Sequence, residues 1–301
     1  MARIPSPLEK VEDPLFDEKE LRVYIKRDDL IHPEIMGNKW RKLKYNLKFV
    51  KENDLKGIVT FGGAFSNHIA ATAAGCAEQG IPCIGFIRGD ELNEASNDTL
   101  AFAHDKGMEL RFIPRSAYKS FTQSPELLKV DFADHLILPE GGTNQLAIAG
   151  CAEIIDEISL DFDYIVTSVG TGGTMAGLIS GLKGKGKVLG VWALKGEGLL
   201  FHFQKLLSDY DVGFPNYELI EGWHWGGYGK VSDDLVHFIN ETKSKINVLF
   251  DPIYTAKMYF AVRTLIETDY FDRGSTIVLV HTGGLQGING INRGRTKKIL
   301  V

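Results

Sequence analysis

A lysine lies in Gly37-Asn38-Lys39-Trp40-Arg41-Lys42, and two glycine-rich turns follow it in the chain. These are Gly62-Gly63-Ala64-Phe65-Ser66-Asn67-His68 and Gly170-Thr171-Gly172-Gly173-Thr174. A lysine amine can form a Schiff base with an aldehyde. A glycine-rich turn that opens a helix can hold a phosphate on its backbone N–H groups. The other turn can hold a carboxylate in the same way. Together the three supply what a pyridoxal-phosphate enzyme acting on a small amino acid needs.

Trp40, Leu43, Leu47 and Val50 recur at helical spacing, so the lysine segment predicts a helix. Gly37-Asn38 reads as its start, with Asn38 as the cap. Lys39 then sits in the first turn, where the helix dipole disfavours an ammonium and helps to make the amine a nucleophile. Lys42, three residues on, shares its side. One of the two can bond the cofactor carbon while the other faces its phosphate. By itself the segment reads first as a solvated basic face, because Lys44 and Lys48 follow.

The other motifs sit where strands give way to helices. The strand expected over 57–61 ends in Gly-Gly, and Ser66 reads as an N-cap whose neighbouring N–H groups could take a carboxylate. His68 reads as a hydrogen-bonding wall before a proton carrier. The 170–174 turn lies between a strand over 164–169 and a helix from Met175. It is not the dinucleotide fingerprint, which needs glycine where Met175 stands. A near-match to the P-loop over 181–188 fails at Val188 and precedes a strand. Two polar-aromatic patches, Trp225-Gly226-Gly227-Tyr228-Gly229 and Asp251-Pro252-Ile253-Tyr254-Thr255, remain, as does His281-Thr282-Gly283-Gly284 at a strand end. In parallel sheets ligands sit at the carboxyl ends of strands.

The elements that must position these residues alternate. Strands are expected over 57–61, 83–87, 109–113, 135–138, 164–169, 187–192 and 276–281, with helices over 69–79 and 97–106 between them. That alternation predicts an α/β fold built from parallel β-α-β units. Two domains are expected, each with a mainly parallel sheet flanked by helices. Residues 1–41 with 146–301 would form the larger, cofactor-binding domain, and 42–145 a smaller inserted one.

Composition narrows the function. The chain has 301 residues, 44% hydrophobic and 24% charged, with a formal net charge of -5. That balance argues against a nucleic-acid partner. No apolar run is long enough for a membrane span, and the first residues carry no apolar signal core. Three cysteines without a C-x-x-C pair point to reduced thiols and a cytoplasmic setting.

In combination these motifs resemble the family of 1-aminocyclopropane-1-carboxylate (ACC) deaminase and D-cysteine desulfhydrase, pyridoxal-phosphate enzymes of tryptophan-synthase-β-like fold. The resemblance runs from Lys26-Arg27-Asp28-Asp29 to His281-Thr282-Gly283-Gly284. It implies that Lys39 carries the Schiff base and that Lys42 approaches the phosphate. It implies that Ser66 contacts the substrate, and that Asn67 contacts the substrate and the cofactor. It places the phosphate on Gly170, Thr171, Gly172, Gly173 and Thr174, and it matches the family's two tyrosines to Tyr228 and Tyr254. Thr255 stands where the deaminases carry a glutamate facing the pyridine nitrogen, and His68 stands where they carry glutamine. Thr282 is taken with the cofactor-binding set. Both departures point to β-elimination from an amino acid with a good leaving group, as in a D-cysteine desulfhydrase giving pyruvate, sulfide and ammonia. The α-proton would be taken by Lys39 or a tyrosine. The alternatives are an ACC deaminase giving 2-oxobutanoate and ammonia, a non-catalytic pyridoxal-phosphate carrier, and a nucleotide-binding module. No metal is expected, the partner is a small amino acid, and the assembly is expected to be a homodimer.

Overall fold

The computed structural model describes residues 2–301. In chain order the strands are β1 (Leu8–Lys10), β2 (Arg22–Lys26), β3 (Gly57–Gly62), β4 (Cys83–Arg88), β5 (Glu109–Ile113), β6 (His135–Ile137), β7 (Tyr164–Val169), β8 (Lys187–Trp192), β9 (Tyr217–Ile220) and β10 (Thr276–Val280). The helices are α1 (Pro14–Glu18), α2 (Asn38–Glu52), α3 (Asn67–Gln79), α4 (Asp98–Asp105), α5 (Arg115–Gln123), α6 (Gln145–Asp156), α7 (Gly173–Leu182), α8 (Leu199–Asp209), α9 (Asp233–Ile246), α10 (Thr255–Glu267) and α11 (Ile288–Asn292).

Six strands form one sheet in the order β1-β2-β10-β7-β8-β9, and four form a second in the order β5-β4-β3-β6. The β1–β2 edge is antiparallel, and the remaining pairings are parallel. The alternation of strands and helices in the sequence therefore reads out as an α/β architecture with two mainly parallel, helix-flanked sheets. The smaller sheet is drawn from residues 57–137, and the larger from chain on either side of it. Helix α2 runs unbroken through the expected 41/42 break. Strand β2 carries no clear signal in the sequence, because Arg22 and Lys26 bracket only three apolar residues.

Both sheets are covered on both faces, as parallel sheets must be. Ile239 of α9 and Val262 of α10 pack with Ile277 on one face of the larger sheet. Leu178 of α7 and Phe203 of α8 pack with Val278 on the other. Leu43, Leu47 and Val50 of α2 join Ile69 and Ala73 of α3 under the smaller sheet. Each such side chain taken out of water stabilises by about 2 kcal/mol.

The start of α2 is fixed by charge. The Arg41 guanidinium, fully buried, donates Nε to Asp28 Oδ2 at 2.6 Å and Nη1 to Glu157 Oε1 at 2.7 Å. Lys26 Nζ, also buried, donates to Glu157 Oε2 at 2.6 Å and to the Ser6 carbonyl at 2.7 Å. Two cations and two carboxylates thus satisfy one another and tie β2, α2 and α6 together. Helix α6 can come this close only because residue 150 is glycine: a Cβ there would lie 2.1 Å from the Arg41 carbonyl oxygen.

Burial alone would raise the Glu157 carboxyl, but hydrogen bonds from Arg41 and Lys26 outweigh it and hold it at about 2. A carboxylate depressed in the folded state adds stability above its unfolded value and loses it as pH falls toward the folded one. Glu157→Gln should therefore destabilise the protein by about 3 kcal/mol at neutral pH. In urea titrations the gap from wild type should narrow as pH drops below roughly 4.3, the ordinary glutamate value. A gap that does not depend on pH would count against this network.

Candidate active site

The carboxyl ends of β3 and β4 in one sheet, and of β7 and β10 in the other, open on a common cleft of about 1040 Å3. Helix α2 delivers both lysines to it. Gly37, at φ +58°, begins the helix against the chain after β10, where a Cβ would lie 2.0 Å from the Thr282 carbonyl oxygen. Asn38 does not cap this helix, contrary to the sequence expectation. It is already helical, and its Nδ2 donates to Thr174 Oγ1 at 2.8 Å across the cleft. The helix start is braced by the neighbouring loops instead.

Lys39 lines the cleft and makes no ion pair or side-chain hydrogen bond among the described residues. Burial, with a further push from the Lys42 cation, lowers its amine to about 7. Lys42 is buried too, and burial lowers its affinity for a proton. Among the described residues it has no carboxylate partner; its Nζ donates to the Gly141 carbonyl at 3.0 Å and to Thr143 Oγ1 at 3.1 Å.

The 170–174 turn closes on Lys42. Helix α7 starts there with Gly172 at φ +83° and no side-chain cap, so its first N–H groups have no partner within the helix. A Cβ on Gly173 would lie 2.5 Å from Thr143 Oγ1 and 3.0 Å from Lys42 Nζ. The cradle is bare backbone with an unpaired ammonium beside it.

On the opposite wall, Ser66 caps α3 as its sequence predicts, accepting from Ile69 N at 3.3 Å. Asn67 and His68 follow it on the cleft wall. His68 Nε2 lies 2.7 Å from Thr60 Oγ1. The Thr60 hydroxyl donates its one hydrogen to the Leu138 carbonyl at 3.1 Å, so it must accept from His68, which carries its proton on Nε2. Burial, then the Lys39 and Lys42 cations, holds the ring well below its usual range and hence neutral.

Tyr254 and Tyr228 both line the cleft, ring centroids 6.1 Å apart. Burial, with Tyr228 and Asp251 nearby, pushes the Tyr254 phenol well above its ordinary range. Thr282 also lines the cleft, its Oγ1 3.4 Å from Ser168 Oγ. Thr255 does not. Its hydroxyl is buried and donates to Asp251 Oδ2 at 2.5 Å, while accepting from Asp251 N at 2.9 Å. Asp251 thus captures the first-turn hydroxyl of α10. Asp251 also accepts from the N–H groups of Ile253, Tyr254 and Thr255.

Of the residues to which the resemblance gives a place in the site, the cleft lining includes Lys39, Lys42, Ser66, Asn67, His68, residues 170–174, Tyr228, Tyr254 and Thr282, and leaves out Thr255. Sequence reasoning missed Ser168, Arg88, Tyr118 and Glu140, which line it as well. Arg88 ends β4 and Ser168 is the next-to-last residue of β7, so the rule for strand ends could have found both.

A cleft with a lowered lysine amine, an unpaired buried ammonium and an uncapped glycine turn suits a phosphorylated aldehyde. Fold and cleft define a pyridoxal-phosphate-dependent enzyme. Residues 1–283 match the family described as "Pyridoxal-phosphate dependent enzyme", and the chain belongs to it. Within that family it groups with the ACC deaminases and D-cysteine desulfhydrases. A Pyrococcus furiosus protein, provisionally named 1-aminocyclopropane-1-carboxylate deaminase, is 30% identical over 88% of this chain and 85% of that protein. An Arabidopsis thaliana mitochondrial protein, named bifunctional D-cysteine desulfhydrase/1-aminocyclopropane-1-carboxylate deaminase, is 27% identical over 96% of this chain and 78% of its own length. The crystal structure of an ACC deaminase homologue shares the fold, with a TM-score of 0.80 at 24% identity over 96% of this chain and 94% of that one. Among the described residues no helix is long and apolar enough to cross a membrane, and no acidic, His or Cys cluster could hold a metal ion.

Two measurements test the site. In cofactor-free protein acylated across a pH series, Lys39 should be half-reactive near pH 7, as its amine is lowered to about 7. Ordinary exposed lysines reach half-reactivity near ~10.4. Half-reactivity of Lys39 at the ordinary value would sink the assignment of a lowered amine. Gly173→Val should weaken cofactor retention by about a hundredfold, ~2.7 kcal/mol, read as loss of the visible absorption band on dialysis.

Proposed function

We propose that the protein catalyses β-elimination from a small amino acid, D-cysteine desulfhydrase-like. D-cysteine and water would give pyruvate, sulfide and ammonia. The observation that carries this reading is the chemistry around Lys39. Glu91 and Glu140 are the carboxylates lining the cleft, and both are exposed. Near the start of α2 stand the hydroxyls of Thr282 and Ser168 instead.

The bound cofactor supplies an electron sink for negative charge at the substrate's α-carbon. A carboxylate facing the ring nitrogen strengthens that sink, whereas a hydroxyl only hydrogen-bonds. The deaminases place glutamate directly after the tyrosine of D-P-x-Y; here that residue is Thr255, whose hydroxyl is committed to Asp251. Expelling sulfide from the β-carbon needs less stabilisation than opening a cyclopropane ring.

The chain's own groups divide the work. Lys39 would hold the cofactor aldehyde, and its amine, lowered to about 7, is the group placed to carry the α-proton. Tyr254, with its phenol raised, stays protonated and donates instead of acting as a base. Lys42 and residues 170–174 hold the phosphate. The N–H groups at the start of α3, with Ser66 and Asn67, hold the substrate carboxylate, and neutral His68 forms the wall behind them. Tyr228 closes the cleft beside Tyr254.

The second reading, an ACC deaminase giving 2-oxobutanoate, is favoured by the names its relatives carry. Assays of keto-acid release from D-cysteine, L-cysteine and ACC separate the two. The expected kcat/KM for D-cysteine exceeds that for ACC by at least roughly tenfold, ~1.4 kcal/mol in transition-state binding. Lys39→Ala should lose both turnover and the visible band. Faster turnover of ACC than of D-cysteine would replace this reading with the deaminase.

A further inference from the structure

Lys257 takes no part in the chemistry above, yet it is a fully buried cation close to the site. It stands in the first turn of α10, where the helix dipole disfavours an ammonium. No carboxylate pairs with it among the described residues. Its Nζ donates to the His224 carbonyl at 3.0 Å and to the Gly227 carbonyl at 3.1 Å. Burial, partly opposed by Asp251, lowers the amine to about 8. The neutral amine keeps two N–H groups, one for each carbonyl, so both bonds survive loss of the proton.

The segment that Lys257 reaches has little conformational preference of its own. Gly222, Trp225, Gly226, Gly227 and Gly229 all have positive φ. Its internal bonds are few: Gly227 N to the His224 carbonyl at 3.0 Å, Lys230 N to the Gly227 carbonyl at 3.2 Å, and Gly226 N to His224 Nδ1 at 3.1 Å. The two carbonyls that close these turns are the two that Lys257 binds. Phe260, one helical turn beyond Lys257, packs edge-on against Trp225 with centroids 4.8 Å apart. The loop then delivers Tyr228, 51% exposed, onto Tyr254 at the other end of the same helix turn. Helix α10 therefore presents one tyrosine to the cleft and grips the loop that carries the other.

We propose that Lys257 is a positioning residue: it ties the loop over 223–229 to helix α10 and so holds Tyr228 against Tyr254 over the cleft. Its effect on turnover rests on the reading of the two tyrosines as groups that face the substrate; the tether itself does not.

The test compares wild-type holoenzyme with Lys257→Met, Tyr228→Phe and the double variant. In Lys257→Met, hydrogen-exchange protection of the amides of Gly226, Gly227 and Lys230 should fall about tenfold or more. The amides of the later turns of α10 and the cofactor's visible band should stay unchanged. Turnover should drop about as far as in Tyr228→Phe, and the double variant should be no slower than Tyr228→Phe alone. If Lys257→Met does not fold, Lys257→Gln, whose shorter amide can reach one carbonyl, should show a partial loss of protection confined to the same loop. Unchanged loop protection in a folded variant overturns the tether. Losses that multiply in the double variant overturn its action through Tyr228. If no amino acid is turned over at all, the proposed reaction fails, while the exchange measurement still decides the tether.

Discussion

The buried contact of Arg41 and Lys26 with Asp28 and Glu157 decides where helix α2 begins and how it is rotated. Each charge in this group has an opposite partner at hydrogen-bond distance. Removing Arg41 would leave Asp28 without a cation, and removing Glu157 would leave Lys26 without a carboxylate, each at a cost of about 3–5 kcal/mol. With Arg41 committed to that side, Lys39 and Lys42 must point to the other, into the cleft. Gly150 and Gly37 let the backbone come close enough at either end, at the Arg41 and Thr282 carbonyls.

One helix therefore carries two kinds of cation. Arg41 is neutralised by protein carboxylates, whereas Lys39 and Lys42 pair with none among the described residues. Both lysines have lowered proton affinity, and each depresses His68 as well. A phosphate beside Lys42 and the start of α7 would bring negative charge to that lysine, as the proposed function requires. The surroundings that make the lysines costly to bury are those that make them bind and react.

Two sheets meet with their carboxyl ends toward the same space, so each wall of the cleft brings its own helix N-terminus. Helix α7 offers uncapped glycine N–H groups beside a lysine, which suits a dianion. Helix α3 starts with Ser66 and Asn67 beside a neutral histidine, which suits a single carboxylate and a polar substrate. The remaining edge is closed by α10, whose capping carboxylate Asp251 is consumed by four donors in its own first turn.

The sequence by itself determined the features set by local physics. Strand–helix alternation specified parallel sheets, Ser66 specified a helix start, and the glycine turns and lysine spacing marked the segments that line the cleft. These depend on backbone geometry and on neighbours within four residues, which the order of residues carries directly. Tertiary structure decided the direction of side chains that have more than one partner in reach. Asn38 looked like a cap and instead bridges to Thr174. The Thr255 hydroxyl bonds Asp251, four residues before it. The lysine segment read as a solvated basic face, and packing buries its Arg41 against Asp28 and Glu157. In each case the deciding partner lies on another element or competes within a single turn, and only packing settles which contact excludes water.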